Sequence, residues 1–315
     1  MPIQDELHIP NDATYAPISL TDLMAAAPLA SRLVLGATLP GRVVQMAALG
    51  FYARSVAKDW SARQGMRRID FKVEFGADVD LLQEQPRTSR EMEVSRLADL
   101  LNRDFTEERL PRRKVAARVN RVLADFIASI TGQRVETSDE IRNISLASLV
   151  FPFAQGTCDV LSGDVAIFRD TGIFEAHIIT HEFVHRKGYL KELHAQALAY
   201  MALRNSGDPM LIQSARAERL HRQLRVLHPD DPQGFEAALD EAGLREELRE
   251  TFMRLRPPPS VYQSVVGEAM KKLYDARMKL TGQNGLSDYD RGFTNFLHTF
   301  RFAPRARQPR ELAEV

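Results

Sequence analysis

His181 and His185 stand four residues apart, with Glu182 beside the first, in the run Thr180–Tyr200, THEFVHRKGYLKELHAQALAY. On an α-helix, residues i and i+4 lie one above the other on the same face. Both imidazoles can then reach one metal ion, and Glu182 is placed to take a proton from a water held there. This HExxH chemistry uses two histidine ligands and a glutamate that serves as general base rather than ligand, the zincin arrangement. The five-residue pattern arises by chance in roughly one or two chains in a hundred of this length. Here Ile178, Ile179, Phe183 and Val184 make the surrounding helix apolar. That setting does not suit an ordinary solvated helix carrying two histidines, because three buried ionisable groups are costly unless paired or metal-bound.

A third ligand is needed next. Gly188 falls where the helix should stop, since glycine supplies the left-handed conformation that ends helices. A chain turning there can bring residues a few positions on back towards the metal, and Glu192 and His194 are the candidates. Three protein ligands with one open position make a catalytic zinc site; four make a structural one. Lys191, at the spacing where one zincin clan keeps a third histidine, cannot ligate while protonated.

The elements that must position these groups follow from pattern and punctuation. Pro40-Gly41 reads as a break, followed by a helix over about 43–64. The clean alternation in Ile69-Asp70-Phe71-Lys72-Val73-Glu74-Phe75 predicts a half-buried strand. Helices are expected over 90–102 and 112–131. Arg112, Arg113, Lys114 and Arg118 near the start of the second read as a solvated helix end. Asp164–Phe168 predicts a short strand just before the HExxH helix, placed to offer its edge to a substrate backbone. A second site helix is expected over 190–205, then charged helices over 212–226 and 233–254, with His221 and His228 exposed. Helices over 261–280 and 288–300 flank the turn Thr281–Gly285.

Composition bounds the rest. The chain has 315 residues, zero formal net charge and 44% apolar residues, enough for a substantial core. Zero net charge gives no general basic footprint for nucleic acid, so none is expected as a partner. Cys158 is the only cysteine, which excludes an intramolecular disulfide and suits a reducing compartment. The opening MPIQDELHIPND has no positive region followed by an apolar one, so no secretory signal is expected. The apolar stretch 25–53 is interrupted by Arg32, Pro40-Gly41 and Arg42. Its uninterrupted pieces of about ten residues fall short of the roughly 18–20 that span a bilayer. Two buried or amphipathic helices are the first reading of it, and a peripheral membrane contact the second.

Three blocks resemble a known family. They are Phe151-Pro152-Phe153, the run HEFVHRKGYLKELHAQALAY, and Leu273–Arg291, LYDARMKLTGQNGLSDYDR. Over roughly 145–300 the chain is similar to an uncharacterised bacterial family of predicted zinc metallopeptidases, often membrane-embedded and known mainly as a domain of unknown function. The resemblance places His181, Glu182 and His185 on the family's core motif. It makes Glu192 the preferred third ligand, as in related gluzincins. His194 stands where the family has an acid, and so is a ligand, a partner of one, or a proton donor. Tyr289 and Arg291 match a Tyr-Gly-Arg segment and would polarise the scissile carbonyl. The family usually begins with transmembrane helices and this chain does not, a departure that bears on membrane integration rather than on the zinc site.

The expectation is therefore an α+β, predominantly α-helical protein with a zincin-like metallopeptidase core of HExxH helix and small sheet. Residues 1–135 would form a helical N-terminal region, 136–303 the catalytic domain with a helical insertion at 206–259, and 304–315 a tail. One Zn²⁺ would serve hydrolysis of a peptide or protein substrate, with a cytoplasmic, membrane-associated location in view. The competing expectation is a non-proteolytic metal-binding or membrane-peripheral interaction protein on the same scaffold.

Overall fold

The computed structural model describes residues 5–12, 38–142, 155–159, 161–255, 265–280 and 282–302. These are predominantly helical, with two small sheets. Strand β1 (Asp5–His8) pairs in parallel with β2 (Gln133–Glu136), and β3 (Gly156–Cys158) pairs antiparallel with β4 (Val165–Ile167). The helices in order are α1 (Leu39–Arg63), α2 (Phe71–Phe75), α3 (Arg87–Arg103), α4 (Arg112–Thr131), α5 (Glu175–Arg186) and α6 (Glu192–Arg204). They are followed by α7 (Pro209–Leu227), α8 (Pro232–Glu241), α9 (Glu246–Arg254), α10 (Val265–Leu280) and α11 (Arg291–Phe302).

Helix α5, which carries the HExxH, packs against α4, α6, α7 and β3. Val115, Val119, Leu123 and Ile127 recur at helical spacing on α4 and are buried there. Gly132, at φ 71°, ends α4 and turns the chain into β2. Asp208 caps α7 by accepting from the amides of Met210 and Leu211, and Pro209 fills the first turn, where a missing N–H costs nothing. A second apolar cluster joins Leu97 and Leu101 of α3 to Leu220, Phe235, Leu248 and Phe252 of α7–α9. Residues 217–255 thus share a core with α3 and Phe174.

Four sequence expectations change. Residues 69–75 do not form a strand: Asp70 caps helix α2 through the amides of Lys72 and Val73, and Gly76 closes it at φ 63°. Phe71 and Phe75 are buried as an i, i+4 pair while Val73 is exposed, so apolar spacing that fits a strand is used helically. The helix expected from 43 begins at Leu39 instead, with Pro40 in its first turn, where a proline is tolerated. The helix expected over 233–254 is two helices, divided near Gly243 at φ 65°. His221 is buried among Phe174, Phe235 and Phe252 rather than exposed.

No described helix is long and apolar enough to cross a membrane. On α1, Leu39, Val43, Met46 and Leu49 are exposed. Residues 25–37, the Phe151-Pro152-Phe153 block and the 304–315 tail lie outside the described residues.

Candidate metal centre

The end of α5 is built to turn sharply. The Lys187 amide donates to the Phe183 carbonyl, that of Gly188 to His185, and that of Tyr189 to Val184. Gly188 sits at φ 105°, and a Cβ there would lie 3.3 Å from Met66 Cε. The turn delivers the Tyr189 carbonyl to His185 Nδ1, 2.9 Å away. That nitrogen is therefore the donor, which leaves Nε2 as the bare, ligating one.

Beyond the turn, Glu192 is the first residue of α6, and its orphan amide donates to Gln283 Oε1 at 2.8 Å. Its Oε2 lies 3.1 Å from Nε2 of His181 and 3.1 Å from Nε2 of His185, and the two nitrogens are 3.2 Å apart. His181, His185 and Glu192 are all buried, and their ligating atoms lie within 4.8 Å of one another. Two imidazole nitrogens and a carboxylate oxygen, converging away from water, fit a divalent cation. Among the described residues this is the one cluster of histidine, cysteine and acid groups able to hold a metal.

With a proton in place of a cation, the charges lean on each other. Burial would lower His185, but the Glu192 carboxylate outweighs it and raises His185 to about 9. Burial lowers His181 to about 4. Burial would raise Glu192, yet His185 and His181 hold it well below the usual carboxylate range. Beside them, burial pushes Glu182 up to about 8. Glu182 faces β3: a Cβ on Gly156 would lie 3.2 Å from Glu182 Oε1, 2.9 Å from Ile167 Cδ1 and 3.3 Å from the Ala166 carbonyl. Any larger residue at 156 would have to push Ile167 or Glu182 aside.

The 164–168 strand, expected to offer a free edge, is paired on both sides. Strand β4 is flanked on its other side by Arg142, whose amide donates to Val165 and whose carbonyl accepts from Ile167, at 2.8 and 2.9 Å. Val165, Ala166 and Ile167 are buried, so the 164–168 stretch is interior and β3 is the strand beside Glu182.

Not every expected site residue arrives. His194 stacks on Phe71, with ring centroids 4.0 Å apart, and is not in the cluster. One helical turn holds Glu192 and His194 on different faces, so only one can look inward. Burial keeps His194 low, at about 4, and its Nε2 has no hydrogen-bond partner among the described residues. Arg291 is exposed and pairs with Glu84, so it does not reach the cluster. Tyr289 does reach it, stacking on His181 at 5.9 Å. Its phenol is held well above its ordinary value by burial and then by Glu192.

Several neighbours were not singled out in the sequence. Tyr274 donates to Glu192 Oε1 at 2.7 Å and lies 3.3 Å from the Tyr289 hydroxyl. His177, one turn before His181, is buried against Gln196 Oε1 at 2.7 Å. The stripe 177-181-185 was a legible signal, being two successive i, i+4 steps. Arg186 donates to the carbonyls of Gly163, Ser138 and Glu140, and Lys187 to the Val135 carbonyl and Thr137 Oγ1. These two buried side chains anchor the end of α5 to β2, to the residues just after it and to Gly163.

Residues 174–297 match a family model, DUF3810, described as a protein of unknown function. The match spans under half of the chain and includes His181, Glu182, His185, Glu192, Tyr274 and Tyr289. It lies within the 145–300 stretch whose motifs carry the resemblance, and its description names no activity. No curated protein matches the chain, and no solved structure does.

Proposed function

We propose that this protein is a zinc-dependent metallopeptidase with a zincin-like core. The observation that carries the reading is the convergence of His181, His185 and Glu192 with Glu182 alongside. A zinc ion held by these three residues would polarise a peptide carbonyl and lower the pKa of a water to about 7. Glu182 acts as general base. Its carboxylate would take the proton of that water and pass it to the leaving amine. The Tyr289 hydroxyl, protonated throughout the neutral range, stabilises the developing oxyanion. Strand β3 aligns an extended peptide backbone next to Glu182, in the role the sequence assigned to 164–168. The His194 stacking on Phe71 also favours an open site, since it leaves three protein ligands rather than four.

Metal analysis of the wild type, Glu182→Gln and His185→Ala, beside a peptide-library cleavage assay, tests the reading. Near-stoichiometric zinc is expected in the first two proteins and loss of it in the third. Cleavage is expected in the wild type alone, with Glu182→Gln down by about 10²–10⁴-fold. Zinc without cleavage in the wild type would favour a non-proteolytic metal-binding protein, and no zinc would end both readings.

A further inference from the structure

Glu192 is gripped from one hairpin at two points. Its amide meets Gln283 Oε1 at 2.8 Å, and its Oε1 accepts from the Tyr274 hydroxyl at 2.7 Å. Tyr274 comes from α10 and Gln283 from the turn after it. That hairpin is itself fixed, because Asp275 Oδ1 accepts from the Leu286 amide at 2.8 Å and the Met278 carbonyl from the Gln283 amide at 3.1 Å. Tyr274 is half-buried on α10, and Met278, one turn on, is buried on the same face; Leu273 and Leu280 are exposed. The hairpin therefore presents one phenol to one carboxylate oxygen.

A carboxylate can offer one oxygen or both to a cation. Here the two are treated differently. Oε2 faces the two imidazole nitrogens at 3.1 Å each, and Oε1 holds the Tyr274 hydrogen. A tyrosine hydroxyl has one hydrogen, so in the 3.3 Å contact between the phenols Tyr289 is the donor and Tyr274 the acceptor. The hydrogens then run from Tyr289 to Tyr274 to Glu192. Tyr274 cannot turn its hydrogen to a substrate without releasing Glu192 Oε1, whereas the longer Tyr289 contact is the one a substrate can replace.

We propose that Tyr274 is a positioning residue that restricts Glu192 to a single ligating oxygen and so keeps a coordination place open for substrate. The proposal rests on the metal-site reading above. A catalytic ion needs that open place, which a second Glu192 oxygen would fill. Hydrogen bonds from residues behind the ligands orient them, and losing one typically weakens metal binding ~10- to 100-fold.

Cobalt(II) is the probe, because its visible bands weaken as its coordination number rises. Wild type, Tyr274→Phe, Met278→Ala and Glu192→Ala would be titrated with cobalt, recording the spectrum and the affinity by chelator competition. Wild type and Met278→Ala are expected to bind one ion with the same strong bands. Tyr274→Phe is expected to bind one ion with weaker bands and ~10- to 100-fold lower affinity. Glu192→Ala sets the spectrum and affinity without the carboxylate. An unchanged spectrum and affinity in Tyr274→Phe overturns the proposal alone, as does Met278→Ala reproducing the change, which would make the effect one of packing. A wild type that takes up no cobalt overturns the metal reading itself, and this proposal with it.

Discussion

The carbonyl of Tyr189 lies 2.9 Å from Nδ1 of His185, four residues back in the chain. A backbone group thus sets which imidazole nitrogen faces the cluster, and it is held there by the Gly188 turn. Gly188→Ala should strain a position at φ 105° and press on Met66. A destabilisation of about 1–3 kcal/mol is expected, together with metal binding weakened more than ten-fold, about what losing a partner behind a ligand costs. Chemical denaturation and a chelator competition would measure the two; full affinity in a destabilised variant would dissociate the turn from the ligand.

His194 and Arg291 separate what the motif suggests from what the geometry uses. His194→Ala should retain the metal and lose only its ring contact with Phe71, about 0.5–1.5 kcal/mol. Arg291→Ala removes an exposed ion pair with Glu84 and should leave both metal content and cleavage near wild type. Tyr289→Phe should lower cleavage while the metal stays. Loss of metal in His194→Ala would return that residue to the ligand set.

Gly156 tests whether β3 matters to chemistry. A methyl group there meets Glu182 Oε1 at 3.2 Å and Ile167 Cδ1 at 2.9 Å, so the Ile167 side chain must move and Glu182 or β3 must give by a few tenths of an ångström. Gly156→Ala should depress cleavage without changing metal stoichiometry, because the three atoms nearest the new methyl belong to Ile167, Glu182 and Ala166 rather than to His181, His185 or Glu192. A variant with wild-type turnover would show that the strand gives way freely.

Lys187 predicts a pH dependence of stability. Burial lowers it to about 7 in the folded protein, from an ordinary 10.5. Between those values the unfolded chain binds a proton that the folded one lacks, so stability rises with pH across that window. The burden is complete below about pH 7 and gone above 10.5. Lys187→Met should remove this contribution, flattening the rise by up to ~1.4 kcal/mol per pH unit. Urea unfolding of both proteins at pH 7.5 and 9.5 gives the comparison, and parallel slopes would mean that Lys187 stays charged when buried.

How much of this was written legibly in the chain depends on the range of the interactions. The HExxH helix and the Gly188 stop follow from local rules, helical spacing and left-handed glycine, which leave Glu192 and His194 both open; the resemblance favoured Glu192, and the structure brings it to His181 and His185. Residues 69–75 misled because alternation is shared by a strand and by a short helix with an i, i+4 aromatic pair; the Asp70 cap and Gly76 were the deciding signals. His194 and Glu192 are two apart, and only the direction in which α6 leaves the turn decides between them. Tyr274 meets Glu192 across 82 positions, and Gly156 meets Glu182 through sheet packing. Neither relation has a local signature, so a single sequence does not disclose it.

The anchoring of Arg186 and Lys187 sets a limit on modularity. The matched segment begins at residue 174 and contains the ligands and both phenols, yet the oxygens that satisfy these two cations belong to Val135, Thr137, Ser138, Glu140 and Gly163, all earlier in the chain. An excised 174–297 would keep the reactive inventory and leave the Arg186 and Lys187 side chains without these partners beside it. Grafting or trimming this protein would therefore have to carry the 133–167 region along, because the chemistry and its electrical ground are encoded in different stretches.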